Sequence, residues 1–193
     1  LLSRGLGDVY KRQEKGTIKA IESANDAFRT WRETTAEERS KILKEWYHLI
    51  LKNKKYISEV ITKESGKPLK ESLVEVEYGA SFIQWFSEQA TRISGDVLQS
   101  PDRSKKMMVI KQPIGVVSAI TPWNFPIAMA TRKTGAALAA GCTVVLKPSE
   151  LTPITAIILA DLSIDAGIPK GVFNVINGKP EVIGEVMSSH KYV

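Results

Sequence analysis

Apolar positions change their period once along the chain, and the change divides it into two kinds of structure. Ile18, Ile21, Ala24, Ala27, Phe28 and Trp31 recur at three- and four-residue intervals, the spacing of one buried helix face. Thr35 and Glu38 have the Ser/Thr-x-x-Glu spacing of a capping box, which predicts a second helix with Ile42, Leu43, Trp46, Leu49 and Ile50 on its inner side. A short third helix over 57–64 should stop at Gly66. Pro68 should open a long fourth carrying Leu73, Val76, Ala80, Ile83 and Phe86. Up to about residue 92 the chain reads as helical.

Beyond that point the pattern shortens. Residues 106–112 alternate loosely, as a strand does. Residues 114–120 (IGVVSAI) form a continuous apolar run rich in β-branched side chains, the mark of a strand buried on both faces. An Ala-rich helix is predicted over 127–140 with Gly141 closing it, then a buried strand over 143–146. A helix follows from Pro153 to Gly167, then a strand over 172–176 and a last helix from Pro180. The order β-α-β-α-β-α predicts an α/β fold: a helical N-terminal part packed on half of a doubly wound parallel sheet. Residues 1–13 share neither period and lack an initiating Met. They are expected to be a non-native or disordered arm, and 14–193 one partial domain.

Composition narrows the function classes. Hydrophobic residues at 43% and charged residues at 25% are those of an ordinary globular protein. No apolar run reaches the roughly 18 to 20 residues of a membrane span. The lone cysteine, Cys142, follows Gly141 at a strand start and reads as a small core residue; it forms no internal disulfide, and a reducing cytoplasmic setting is expected. His48 and His190 stand far apart, so no metal site is expected. The net charge of +6 is spread over helix faces, with Lys41, Lys44, Lys52, Lys54 and Lys55 among Glu37, Glu38, Glu45 and Glu59. That is a solvated surface rather than a nucleic-acid patch.

Ligands of open parallel sheets bind beyond the carboxyl ends of the strands. Two loops fall there, Thr121-Pro122-Trp123-Asn124-Phe125-Pro126 and Lys147-Pro148-Ser149-Glu150. Each has a bland reading beside the ligand-binding one. The first is then a proline-bracketed turn with Trp123 and Phe125 in the core and Asn124 capping the next helix. The second is then surface charge. No Gly-x-Gly-x-x-Gly fingerprint is present.

The stretch 111–153, KQPIGVVSAITPWNFPIAMATRKTGAALAAGCTVVLKPSELTP, resembles the aldehyde dehydrogenase superfamily, and the likeness extends from about Gly16 to Val193. The segments SGKPL (65–69), SFIQWF (81–86), ISGD (93–96) and ATRK (130–133) resemble the succinate-semialdehyde branch; glutarate semialdehyde is the alternative substrate. The resemblance implies that Asn124 donates to the oxyanion of the reacting carbonyl. It implies that Thr121, Pro122 and Trp123 line the nicotinamide half of a cofactor, NAD in preference to NADP. Lys147 and Glu150 would hold the adenosine ribose hydroxyls, with Pro148 and Ser149 beside them, and Arg132 the distal carboxylate of the substrate. It further implies a bridging, oligomer-forming strand region at 95–112 and a dimeric or tetrameric homo-oligomer. The mitochondrial matrix is the second compartment to consider. The family's catalytic cysteine and general-base glutamate match nothing in this chain, so the resemblance is to an N-terminal piece that is inactive by itself. A noncatalytic nucleotide-binding module is the reading from another class.

Overall fold

A computed structural model describes residues 2–193, with the backbone alone for residues 2–12. Of the non-native or disordered arm expected at 1–13, residue 1 lies outside the described residues and the backbone of the rest is helical. The backbone of α1 (Leu2–Trp31) begins well before the amphipathic pattern does. From Thr17 onward, the helix buries Ile21, Ala24 and Trp31, as the spacing predicts.

Three more helices follow: α2 (Ala36–Lys52), α3 (Lys54–Ser65) and α4 (Leu69–Gln89). The capping box at the start of α2 is present in both directions: Glu38 N–H donates to Thr35 Oγ1 at 3.2 Å, and Thr35 N–H donates to Glu38 Oε2 at 2.7 Å. These bonds hold the Glu38 carboxyl below its ordinary value, the backbone bond to Thr35 first and the hydroxyl of Thr35 second. Gly66 ends α3 in the left-handed conformation, and its N–H returns to Thr62 C=O.

A hairpin of β1 (Asp96–Leu98) and β2 (Met107–Val109) pairs antiparallel, with Asp96 opposite Val109. All six of its residues are exposed. Then come β3 (Val116–Ile120), α5 (Pro126–Ala139), β4 (Thr143–Lys147), α6 (Ile154–Asp165), β5 (Phe173–Val175) and α7 (Pro180–Ser189). The three later strands form a parallel sheet in the order β3-β4-β5, with Ile120 opposite Lys147 and Leu146 opposite Val175.

Strand alternation explains why β4 is buried throughout, with apolar side chains at its three central positions. Val144 and Leu146 join a core with Trp46, Ile127, Leu138, Leu159 and Phe173, beneath α2, α5 and α6. Val145 points the other way, into a second core with Ile21, Ala24, Val116, Ile183 and Met187, beneath α1 and α7. β3 is covered on both faces, with Val116 in the second core and Ala119 in the first, but less completely than its apolar run predicts. Only Val116 and Ala119 are buried, while Ile114 and Ile120 are exposed. β3 is an edge strand among the described residues, with one hydrogen-bonded neighbour, so its apolar run exceeds what this chain covers.

Close helix approach sets the geometry of the site. A Cβ on Gly79 of α4 would stand 3.0 Å from Ile127 Cγ1, and one on Gly135 of α5 would stand 3.0 Å from Ile83 Cδ1. The two glycines let α4 lie directly against α5, beside the loop that precedes it.

Trp46 joins the helical layer to the sheet. Its Nε1–H donates to Leu159 C=O at 3.1 Å and its ring lies 5.6 Å from that of Phe173. Trp46→Ala is predicted to cost about 3–5 kcal/mol of stability. Trp46→Phe should cost clearly less, since it forfeits the indole bond but keeps most of the packing. Chemical-denaturation midpoints test this, and equal losses for the two variants would refute packing as the main term.

Candidate active and cofactor site

Both candidate loops emerge at the carboxyl edge of the parallel sheet, and the backbone ties them together. Thr121 N–H donates to Lys147 C=O at 3.0 Å, which carries the β3–β4 register one step past the strand end. Thr121 is buried there. The first loop is thus anchored to the second at its root.

The second loop is built around Lys147, whose side chain is only 3% exposed. A buried ammonium is costly unless it finds acceptors. Its Nζ donates to Pro148 C=O at 2.9 Å and lies 3.3 Å from Glu150 Oε2. Glu150 is half-exposed, and its carboxyl sits below the ordinary carboxylate value. The first cause is a bond from its own backbone N–H, the second the Lys147 ammonium. At neutral pH it is an anion with lone pairs facing solvent. Ser149 is buried and its hydroxyl accepts from Leu151 N–H at 3.2 Å, closing the turn. An ammonium beside a carboxylate offers a donor and an acceptor to one diol, which is the chemistry a ribose needs. Beside this loop, a cleft of about 510 Å³ is lined by Glu150, Gln13 and residues 178–181.

The first loop does not take its bland form. Trp123 is 53% exposed and Phe125 is exposed as well, so neither fills the core. Asn124 is not the cap of α5; Phe125 stands at that position and supplies no side-chain bond. The Asn124 carboxamide has no hydrogen-bond partner among the described residues and is open to solvent. The acceptor for α5 comes instead from α4: Glu75 Oε1 takes Ile127 N–H at 3.1 Å. The other oxygen of Glu75 pairs with Lys67 Nζ, which also donates to Asn124 C=O at 2.9 Å and lies 4.1 Å from the centre of the Phe125 ring. Helix α6 is served the same way. Glu64 of α3 accepts Ile154 N–H at 2.8 Å and Thr155 N–H at 3.1 Å, and it also bonds the Thr155 hydroxyl.

Arg132 lies two turns along α5 from Asn124. It is exposed, donates from Nη2 to Met129 Sδ at 2.8 Å, and stands 5.7 Å from the centre of the Phe82 ring. It lines a depression of about 590 Å³ with Ser81, Phe82 and Trp85. Phe125 lines a neighbouring cleft of about 510 Å³ with Lys67, Val74, Glu75 and Tyr78. The Tyr78 and Phe82 rings, 4.8 Å apart, stand between the two. Cys142 is 4% exposed, in the core, as its sequence position suggests.

Lys67, Glu75 and Glu64 escape the sequence reading. One signal was present: Glu75 falls on the stripe of Ser72, Val76, Gly79, Ala80 and Ile83 that α4 buries, where a lone carboxylate requires a partner. Its partner and the loop that it holds are long-range facts. Among the described residues there is no cluster of three or more metal-ligating side chains, and no helix long and apolar enough to cross a membrane.

Comparison with known proteins says to which family this parallel sheet, with paired loops at its carboxyl edge, belongs. Residues 3–193 match the aldehyde dehydrogenase family, and the chain belongs to it. That family uses NAD or NADP. The chain is 50% identical over 188 residues to the succinate-semialdehyde dehydrogenase [NADP(+)] of Escherichia coli, covering 97% of itself and 39% of that protein. It is 52% identical over 182 residues to the mitochondrial succinate-semialdehyde dehydrogenase of Oryza sativa, covering 94% of itself and 34% of the relative. Among solved structures, succinate-semialdehyde dehydrogenase from Burkholderia pseudomallei superposes with a TM-score of 0.93 at 48% identity, over 94% of this chain and 38% of that one. Betaine aldehyde dehydrogenase from Staphylococcus aureus, solved in complex with NAD+, gives 0.91 at 36% identity, over 94% and 36%. The chain spans little more than a third of the length of these relatives.

Because Glu64 caps α6 from another helix, Glu64→Ala should lower stability by about 1–2 kcal/mol. Glu64→Gln should lose less, since its amide oxygen still accepts. Urea denaturation of the three proteins decides; no loss in Glu64→Ala would show that water replaces the cap.

Proposed function

We propose that this chain is the cofactor side of a succinate-semialdehyde dehydrogenase, whose whole protein converts a semialdehyde, NAD(P) and water to the dicarboxylate and reduced cofactor. The observation that carries the reading is the joining of the two loops at one sheet edge, with the Lys147–Glu150 pair at one end and the unpartnered Asn124 carboxamide at the other.

On this reading Lys147 and Glu150 take the two ribose hydroxyls, the ammonium donating and the carboxylate accepting. Pro148 and Ser149 shape the wall beside them. Thr121, Pro122 and Trp123 lie along the nicotinamide half, and the bound nicotinamide supplies the hydride acceptor. Asn124 donates its side-chain N–H to the oxygen that becomes anionic when a thiolate adds to the aldehyde. A donor held ready for that charge is worth about 3–4 kcal/mol in a site closed to water. Arg132 takes the distal carboxylate, which a guanidinium pairs through two parallel bonds. Cys142, shut in the core, is not the nucleophile, so the thiolate and the general base come from outside this chain and the chain alone is inactive.

The exposed hairpin β1–β2, within 95–112, is on this reading a bridging strand region through which copies of the protein form a dimer or tetramer. Its Val97 and Met108 leave apolar area that a partner strand would cover. We place the protein in the cytoplasm, with the matrix as the alternative that the mitochondrial relatives suggest.

We also infer a preference for NAD. A 2′-phosphate would bring roughly −1.5 to −2 charges against the Glu150 carboxylate and remove the hydroxyl that it accepts from. The E. coli relative is named for NADP, so the family leaves this choice to the ribose-facing residues.

Two predictions follow from joining this chain to the remainder of the E. coli relative. Arg132→Ala should weaken kcat/KM for succinate semialdehyde by about 1.5–3 kcal/mol, and an uncharged aldehyde of similar length far less. Equal losses would make Arg132 structural, and NADH formation by the 193-residue chain alone would overturn the assignment of the nucleophile. For the cofactor, Glu150→Ser should move the NAD/NADP ratio of kcat/KM toward NADP by on the order of ten-fold. An unmoved ratio, or a parent that already favours NADP, would refute the role given to Glu150.

A further inference from the structure

The Lys67–Glu75 pair has the burial of a structural element and the contacts of a site element. The side chain of Glu75 is 1% exposed and that of Lys67 14%. Ion pairs at such depth lose most of their Coulombic gain to desolvation, so stability alone is a weak reason for this one. What the pair touches is more informative. One carboxylate oxygen fixes Ile127 N–H, three residues after Asn124, while the ammonium fixes Asn124 C=O itself and lies over the ring of Phe125 between them. The backbone is therefore gripped at Asn124 and again at Ile127, and Pro126 stiffens the link. The Asn124 carboxamide, by contrast, makes no hydrogen bond among the described residues. Its direction is inherited wholly from a backbone that residues of another helix hold in place.

We propose that Lys67 and Glu75 are positioning residues for Asn124: the ion pair aims the Asn124 carboxamide at the reacting oxygen without touching substrate or cofactor. This rests on the reading of Asn124 as the oxyanion donor. The geometry separates the pair from an ordinary helix cap. A cap for α5 needs only the carboxylate at Ile127 N–H, whereas the bond from Lys67 to Asn124 C=O contributes nothing to the helix. Lys67 reaches that carbonyl because Gly66 ends α3 and Pro68 starts the entry to α4, which leaves Lys67 in the turn between two helices.

The pair can be tested first in the 193-residue chain by 15N relaxation of Asn124 and Phe125. Lys67→Met should loosen both amides while Val117 and Val145 in the sheet stay rigid, and Lys67→Arg should restore them. Unchanged loop order in Lys67→Met, or loosening spread equally through the sheet, would overturn the proposal. The second arm is a double-mutant cycle on kcat in the chain joined to the remainder of the E. coli relative. Lys67→Met should lower kcat about 10- to 100-fold with little change in the KM for NAD. Added to Asn124→Ala, it should lower kcat less than three-fold further. Full additivity would show Lys67 to be merely structural and overturn the proposal. If Asn124→Ala leaves kcat unchanged, the oxyanion assignment itself fails and the proposal falls with it, whereas a low kcat in Asn124→Ala beside a normal one in Lys67→Met defeats the proposal alone.

Discussion

A helix that starts at the edge of a buried sheet exposes its first backbone N–H groups where water is scarce, and each needs an acceptor. Helices α5 and α6 both start this way, directly after the two loops of the site, and neither carries a side-chain cap of its own. Carboxylates from the helical layer supply what is missing: Glu75 of α4 for α5, Glu64 of α3 for α6. These bonds satisfy the helix ends and complement their partial positive charge. They also fix the loops, because each loop is joined without slack to the helix that follows it. The N-terminal helices thus serve as the clamp that gives the sheet edge its shape.

The same economy governs the loop after β4. Lys147 is the last residue of the most buried strand, so its ammonium can reach only what the loop itself offers, Pro148 C=O and Glu150. That constraint holds Glu150 at the cleft with its charge intact, since the backbone bond and the ammonium both favour the anion. Among the described residues Glu150 binds no further group, which leaves acceptor capacity on its carboxylate. Asn124 is the counterpart at the other end: its backbone carbonyl is held by Lys67, and its carboxamide has no hydrogen-bond partner among the described residues.

Much of the fold is legible from periodicity because its causes are local. The capping box of Thr35 and Glu38, the stop at Gly66 and the proline start at Pro180 act within a few residues, and each stands where its spacing puts it. β4 reads as buried because both of its faces meet helices. β3 misleads for the converse reason. Its apolar run is as continuous, but burial depends on a neighbour on each side, and sequence pattern carries no information on which strand ends up at an edge.

The sequence by itself determined the main helices and strands and their order along the chain, since these follow from local propensity and patterning, and it singled out the two loops as candidates for a site. The resemblance of those loops to a known family supplied candidate roles for Asn124, Lys147 and Glu150. Tertiary structure alone decided who holds the loops. Lys67 and Asn124 are 57 positions apart, and Glu64 and Ile154 are 90, so no period links them. The first pair meets because Gly79 and Gly135 let α4 lie on α5 and the second because α3 packs on α6; a buried carboxylate such as Glu75 must find its partner wherever packing brings one.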